Sequence, residues 1–225
     1  MPIKPEEVRE SYKRITHNLN EAMTRFRSPQ DKVALMAVTK TVPAELVNVA
    51  IDCGVRLLGE NRVQEYLTKK DLYRKEAEVQ FIGRVQTNKL RQLMPDVTVI
   101  QAVDSLHTAE AISHRAALLA ISQSILIEVN IGGELSKGGV SPDALPTLLQ
   151  EITALPGIAV RGLMAIPPPG EGARCFPQMQ TLFLRLRETY PALTTLSMGM
   201  SGDYEEAVRY GSTMVRIGSG LFGAR

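Results

Sequence analysis

Eight short apolar runs, each followed by a longer amphipathic segment, set the tightest limit on how this chain can fold. They read "VALMAVTK", "GVRLLGEN", "EVQFIG", "VTVIQAVDS", "SILIEVNI", "IAVRGLMAI", "TTLSMGMS" and "STMVRIGSG". Runs of that length, rich in Val, Ile and Leu, are buried strands. The segments between them, such as "PAELVNVAIDCG", "SLHTAEAISHRAALLAIS" and "FPQMQTLFLRLRETYP", carry apolar residues at helical spacing and open on a cap or a first-turn proline. Strand and helix in alternation imply a parallel sheet. Eight such units in 225 residues suit a closed α/β barrel, a single (β/α)8 TIM barrel spanning residues 1–225 as one domain. A doubly wound sheet is disfavoured, because no GxGxxG turn follows the first strand and nothing marks a switch point. Only "LFGAR" follows the last strand. The eighth outer helix is therefore missing, and an N-terminal helix from about Pro5 to Arg25 is expected to complete the outer ring.

Charge narrows the partners. The formal net charge of +2 comes from 26 basic and 24 acidic residues dispersed along the chain, with no basic arm or stripe. That argues against nucleic acid and anionic membranes. Cys53 and Cys175 are the only cysteines, which excludes a disulfide framework and a Cys-rich zinc site and fits a reducing compartment. The opening "MPIKPEEVRESYKRI" has no apolar h-region, and no run of 18 apolar residues occurs. A cytoplasmic monomer that handles a small molecule or another protein is the expectation.

In such barrels function gathers at the C-terminal ends of the strands. Lys40 ends the first strand, Glu60 and Asn61 the second, Gly83 the third, Asp104 and Ser105 the fourth, Asn130 the fifth, Met200 and Ser201 the seventh. A lysine at a strand end is either a solvated rim charge or a nucleophile. Ser105 and Asp104 before "LHTAEA" are most simply a helix cap. The last two ends ask for more than capping. "MGMSGDYEEA" and "RIGSGLFG" each set glycines and a serine at a strand-to-helix turn, leaving backbone N–H groups and hydroxyls pointing outward. Ser201 with Gly218 and Ser219 thus reads as a phosphate cup, where barrels often hold one. Strand alternation puts Met214, Arg216 and Gly218 on the barrel-facing side. Arg216 then needs a partner, whereas Glu128 and Arg161 read as an internal structural ion pair. A lysine, a phosphate cup and an unpaired arginine around one mouth call for a phosphorylated aldehyde held as a Schiff base, and pyridoxal 5′-phosphate (PLP) meets each requirement.

The chain resembles the pyridoxal phosphate homeostasis protein family, also called the YggS/PROSC family, which is related to the barrel domain of alanine racemase. The resemblance covers nearly all residues and rests on "AVTKT", "LGENRVQE", "FIGRVQTNK", "VDS", "VNIGGELSKGG", "GLMAI", "LSMGMSGDYEEAV" and "GSTMVRIGSGLFG", in that order. It implies a cofactor-bearing Lys40 and Asn61 near the cofactor. It also implies Ser201, preceded by Met200, with Gly218 and Ser219 on the phosphate, and Arg216 at the pyridine nitrogen. Two positions depart from the family's habit: Thr39 stands where serine usually precedes the lysine, and Arg84 where histidine often follows "FIG". Any role of that histidine does not transfer, and Arg84 is instead free to meet a phosphate or an acidic partner.

Other signals carry less. "GELSKGG" has a P-loop's composition in the wrong order. His107 and His114 lie on one helix with no third ligand nearby, so no metal is expected. "RVQTNKLRQ" lacks the interleaved aromatics of an RNA contact. Two functions remain, a PLP-dependent racemase-like enzyme and a PLP carrier that acts in cofactor homeostasis without turnover and hands PLP to apo-enzymes. The enzyme needs acid–base groups on both faces of the cofactor. Lys40 can serve one face, but alanine racemases take the second base from an additional domain for which these residues leave no room. The carrier is the reading adopted.

Overall fold

The computed structural model describes residues 3–134 and 138–223. Leu135, Ser136 and Lys137 of "GELSKGG" lie outside the described residues. Eight parallel strands close in sequence order: β1 Ala34–Val38, β2 Leu57–Glu60, β3 Glu78–Phe81, β4 Val99–Val103, β5 Gln123–Val129, β6 Ile158–Ala165, β7 Thr195–Ser197 and β8 Met214–Ile217. Between and around them run α1 Pro5–Phe26, α2 Ala44–Cys53, α3 Val63–Lys69, α4 Leu90–Leu93, α5 Leu106–Leu119, α6 Leu145–Thr153, α7 Gly172–Thr189, α8 Tyr204–Arg209 and α9 Ser219–Phe222. The connections follow from local chemistry. The Ser105 hydroxyl accepts the Thr108 N–H at 3.4 Å and caps α5, as the sequence suggests. Helix α7 starts at Gly172, four residues before the expected "FPQMQ", and carries Pro177 inside it. Arg174 and Cys175 both donate their N–H to the Glu171 carbonyl, so the first turn forms ahead of the proline.

Strand alternation sorts the side chains into two layers. Val215 and Ile217 of β8 face outward and pack with Val8, Ile15 and Leu19 of α1 and with Val47 and Ile51 of α2. Met36, Ile82 and Met214 face inward, as do Ala102, Leu126 and Met164. The outer ring closes as expected, with α1 packed against α2, α8 and α9. Helix α1 also touches the functional end, where the Arg14 guanidinium reaches the Gly220 carbonyl at 3.3 Å.

The expected Glu128–Arg161 pair is not formed. In the β5–β6 register Ile125 lies opposite Val160 and Leu126 opposite Gly162, so Arg161 is the extra residue of a bulge. The bulge breaks the alternation on which the pairing was read, and Arg161 is exposed. The strand ends also fall earlier than the apolar runs suggest: β1 stops at Val38 and β7 at Ser197, which leaves Lys40, Met200 and Ser201 in turns.

Ile15 on α1 is 3% exposed. Ile15→Ala is therefore expected to cost about 2–5 kcal/mol, read from the denaturant midpoint. A change below about 0.5 kcal/mol, the range of ordinary surface substitutions, would show that α1 is dispensable to the barrel.

Candidate functional site

Lys40 sits at the tip of a turn pinned from both sides. Thr39, wholly buried, donates its hydroxyl to Glu60 Oε1 at 2.7 Å, and Val42 N–H closes the turn on the Thr39 carbonyl at 3.1 Å. Lys69 Nζ donates to that same carbonyl at 2.9 Å and to Glu65 Oε1 at 2.8 Å, and it lies 3.3 Å from Glu60 Oε1. Glu65 in turn accepts the N–H of Thr41. Thr41 has φ +59°, a left-handed backbone that a β-branched residue adopts only when its surroundings enforce it. The two residues flanking Lys40 are thus clamped by one buried cation and two carboxylates, while Lys40 itself is exposed. The Tyr73 hydroxyl also donates to Glu60 Oε1, and burial followed by the Glu60 charge pushes its pKa up. Thr39 in place of serine keeps the hydroxyl this arrangement uses.

Across from Lys40 the seventh and eighth strand ends form a single surface. Gly199 has φ +92°, and a Cβ there would meet the Ala207 methyl at 2.5 Å, so the turn after β7 requires glycine. Asp203 Oδ1 accepts the Met200 N–H at 2.6 Å and holds the turn closed. Ser201 Oγ accepts the Gly220 N–H at 2.9 Å, which ties this turn to the one after β8. With a lone pair so used, the Ser201 proton remains available to an outside acceptor. A cleft of about 420 Å³ results, lined by Val38, Lys40, Met200, Ser201, Gly202, Arg216, Gly218 and Ser219. Six of the seven residues singled out from the sequence border it.

Asn61 is the seventh. It lines a neighbouring cleft of about 640 Å³ together with Arg62, Glu65 and Arg84, and its Oδ1 is buried with no hydrogen-bond partner among the described residues. Arg84 thus stands at the mouth, as its place after β3 suggests. Among the described residues no group of three His, Cys, Asp or Glu could hold a metal.

Arg216 is barrel-facing as expected but not unpaired. It is 3% exposed and donates to Ser197 Oγ at 2.7 Å and to the Ala165 carbonyl at 2.9 Å. The Ser197 hydroxyl in turn donates a hydrogen bond to Gln101 Oε1 at 2.8 Å, and Gln101 Nε2 donates to Gln80 Oε1 at 2.6 Å. Burial pulls the guanidinium pKa down to about 10 against the charges of Glu128 and Asp203, which leaves it a cation at neutral pH. Only two of its five N–H donors are taken up by these bonds, so it can still donate into the cleft it borders.

Sequence reading missed Lys69, Glu65, Tyr73, Gln80, Gln101 and Ser197. Glu65 and Lys69 stand four apart on α3, a spacing common on solvated helix faces, and nothing local shows that this face turns inward. Gln80, Gln101 and Ser197 sit within apolar strands; alternation would have put Gln80 and Ser197 inside the barrel, whereas at Gln101 the register of β4 against β5 shifts between Ile100 and Val103, so that Gln101 and Ala102 both face in.

The fold and this mouth define a barrel of the alanine racemase N-terminal type. The family model "Alanine racemase, N-terminal domain" matches residues 11–225. Alanine racemase from Corynebacterium glutamicum shares the fold with TM-score 0.74 at 16% identity, over 98% of this chain and 61% of that one. The relation narrows with proteins of this chain's own length. The pyridoxal phosphate homeostasis protein of Aquifex aeolicus is 42% identical over 225 residues, 96% of this chain and 97% of that one. PipY of Synechococcus elongatus with PLP bound is 34% identical with TM-score 0.78, over 93% of this chain and 100% of that one. The chain belongs to the pyridoxal phosphate homeostasis protein family.

Glu128, at the barrel mouth, has its pKa raised by burial and then by Asp104, against the pull of Arg216 and Arg84. A carboxyl whose folded pKa exceeds its unfolded value binds more protons in the folded state, so stability falls as pH rises through that interval. Glu128→Gln is therefore expected to raise the melting temperature at neutral pH, and the gain should vanish near about pH 4, where carboxyls are protonated in both states. A gain that does not change with pH would show that Glu128 carries no such strain.

Proposed function

We propose that this chain binds PLP as a Schiff base on Lys40 and acts in PLP homeostasis as a cytoplasmic, monomeric carrier that hands the cofactor to apo-enzymes without substantial turnover. The observation that carries the reading is the single cleft in which an exposed amine, a buried guanidinium and two serine-bearing turns face one volume. The Aquifex relative's name and the PLP held by PipY support it. Among the described residues no helix is long and apolar enough to cross a membrane.

The residues present fit the group. About 420 Å³ lies in the range of small-molecule sites, roughly 300–1,000 Å³. A Cβ on Gly202 would meet nothing within 4 Å, so there is open space beside that turn. The hydroxyls of Ser201 and Ser219 and the N–H groups around Gly218 offer donors to a dianion. Arg216 holds its protons and donates a hydrogen bond to the ring nitrogen without protonating it. Asn61 brings a buried acceptor still without a donor to the neighbouring wall. When bound, PLP supplies an electrophilic carbon and an electron sink. An unprotonated ring weakens that sink, and the exposure of Lys40 leaves its nitrogen open to an incoming amine. Both features suit transfer better than catalysis.

Borohydride reduction of the PLP-loaded protein followed by peptide mapping should put the pyridoxyl group on Lys40, and Lys40→Ala should lose it. Recovery of the label on Lys89 would refute the assignment. Pyridoxal lacking phosphate should bind at least about 100-fold more weakly than PLP, because two or more charge-assisted bonds of roughly 1.5–3 kcal/mol are lost. Equal affinities would remove the cup.

Carrier and enzyme separate on turnover. The loaded protein is expected to restore activity to an apo-enzyme while processing amino acids far below about 1 s⁻¹, the lower end of ordinary enzymes. Turnover at or above that rate that disappears in Lys40→Ala would establish the racemase-like alternative.

A further inference from the structure

The end of the barrel opposite the Lys40 mouth holds a cavity of about 240 Å³, beside the N-terminal ends of β1 and β8 and the last turns of α1, α7 and α8. Its floor is apolar, formed by Phe183 and Leu196, both buried. Three guanidiniums, Arg27, Arg187 and Arg209, line it against a single carboxylate, Asp31, so two positive charges stand in excess. Asp31 is already paired. It accepts Arg27 Nε at 2.9 Å and the Ser28 N–H at 3.2 Å, and Arg27 places a further N–H on the Ser212 carbonyl at 3.0 Å.

Arg187 and Arg209 have no such partner. Neither makes a hydrogen bond or ion pair among the described residues, and each is held instead against aromatic rings. Arg187 lies over Phe183 at 5.6 Å, and Arg209 over Phe26 at 5.7 Å and Tyr210 at 5.5 Å. A guanidinium stacked on a ring keeps the N–H groups at its edge for a ligand. Both stand in the last turns of their helices, where each helix end offers about half a negative charge. That meets only about half of the excess. The Gln180 amide also has no partner, and its Nε2 lies over Gly211, where a Cβ would meet it at 3.3 Å.

We propose that this cavity binds the dianionic head of a phosphate monoester, with Arg187 and Arg209 on its oxygens and the Gln180 amide as a third donor. Guanidinium forks suit phosphate. A carboxylate brings one charge and two oxygens, and so leaves a donor unmet. A phosphate monoester brings up to about two charges and three acceptor oxygens. The volume lies below the roughly 300–1,000 Å³ of sites that enclose a whole small molecule, so the head is held and the body stays outside. Leu184, 51% exposed at the rim, offers that body an apolar contact. The site lies on the far side of the barrel from Lys40 and is independent of what Lys40 holds.

The test follows the Nε–Hε signals of Arg187 and Arg209 by ¹⁵N NMR of the full chain, at fixed ionic strength and about pH 7, above the second phosphate pKa of about 6. Each signal is assigned by its loss in Arg187→Gln or Arg209→Gln, both at exposed positions. The two arginines stand at the opposite end from the cup, so phosphate bound in the cup leaves them unmoved. Phenyl phosphate should shift both signals saturably, with a dissociation constant of about 1 mM or tighter. Inorganic phosphate should shift them too, but bind at least about threefold more weakly at equal dianion concentration, close to the effect of one buried methylene on Leu184. In each variant the surviving arginine should report about tenfold weaker binding, as expected for one lost charge-assisted bond. Signals unmoved by about 10 mM phenyl phosphate, or unchanged affinity in either variant, overturn the proposal. Equal shifts with sodium chloride at the same ionic strength reduce the effect to screening and also overturn it. Equal affinity for the two phosphates assigns the cavity to the inorganic ion and overturns the monoester.

Discussion

Arg216 carries a full charge into the barrel, and the polar chain that receives it orders the whole functional end. The guanidinium donates to Ser197 on β7 and to the last carbonyl of β6, Ser197 donates to Gln101 on β4, and Gln101 donates to Gln80 on β3. Strands β4 and β7 are not neighbours in the sheet, so this chain of bonds crosses the interior. Each link donates in the same direction, away from the cation, and such series polarise one another. A buried charge left without partners would cost several kcal/mol. The same bonds therefore stabilise the barrel and aim the remaining guanidinium donors at the cleft beside Lys40.

A second buried charge does comparable work on the opposite side of β1. Lys69 sits among Glu60, Glu65 and the Thr39 carbonyl, and its bonds fix both neighbours of Lys40. The left-handed Thr41 marks the cost of that clamp, on the order of 1 kcal/mol or more. What the clamp secures is a fixed backbone on either side of an exposed side chain. The backbone at Lys40 is held, while its side chain stands in solvent where an incoming amine can reach it.

These two networks meet at an open mouth. The cup between β7 and β8 offers neutral donors and one buried cation, and the cleft between β2 and β3 offers two exposed cations and an unmet acceptor. The two clefts therefore present differently charged walls on either side of β1.

Much of this was legible along the chain because it depends on short-range order. Alternating strand and helix periods dictate a parallel barrel, the opening amphipathic segment supplies a helix for its outer ring, and Gly199, Ser201, Gly218 and Ser219 announce their turns by composition. Lys40 and Arg216 follow from strand position and phase. The rest depends on residues distant in sequence. A one-residue bulge at Arg161 reverses the expected facing and dissolves the pair with Glu128, and no local pattern signals it. Lys69 looks like a solvated helix partner of Glu65 until packing turns that face toward Thr39. Asn61 borders its own cleft, apart from the cup, because β2 lies on the other side of β1. Sequence by itself determined the elements, their order and which turns border the cleft. Only the closed barrel decided which buried charges meet, because partners as far apart as Gln101 and Ser197 come within 2.8 Å solely through ring closure.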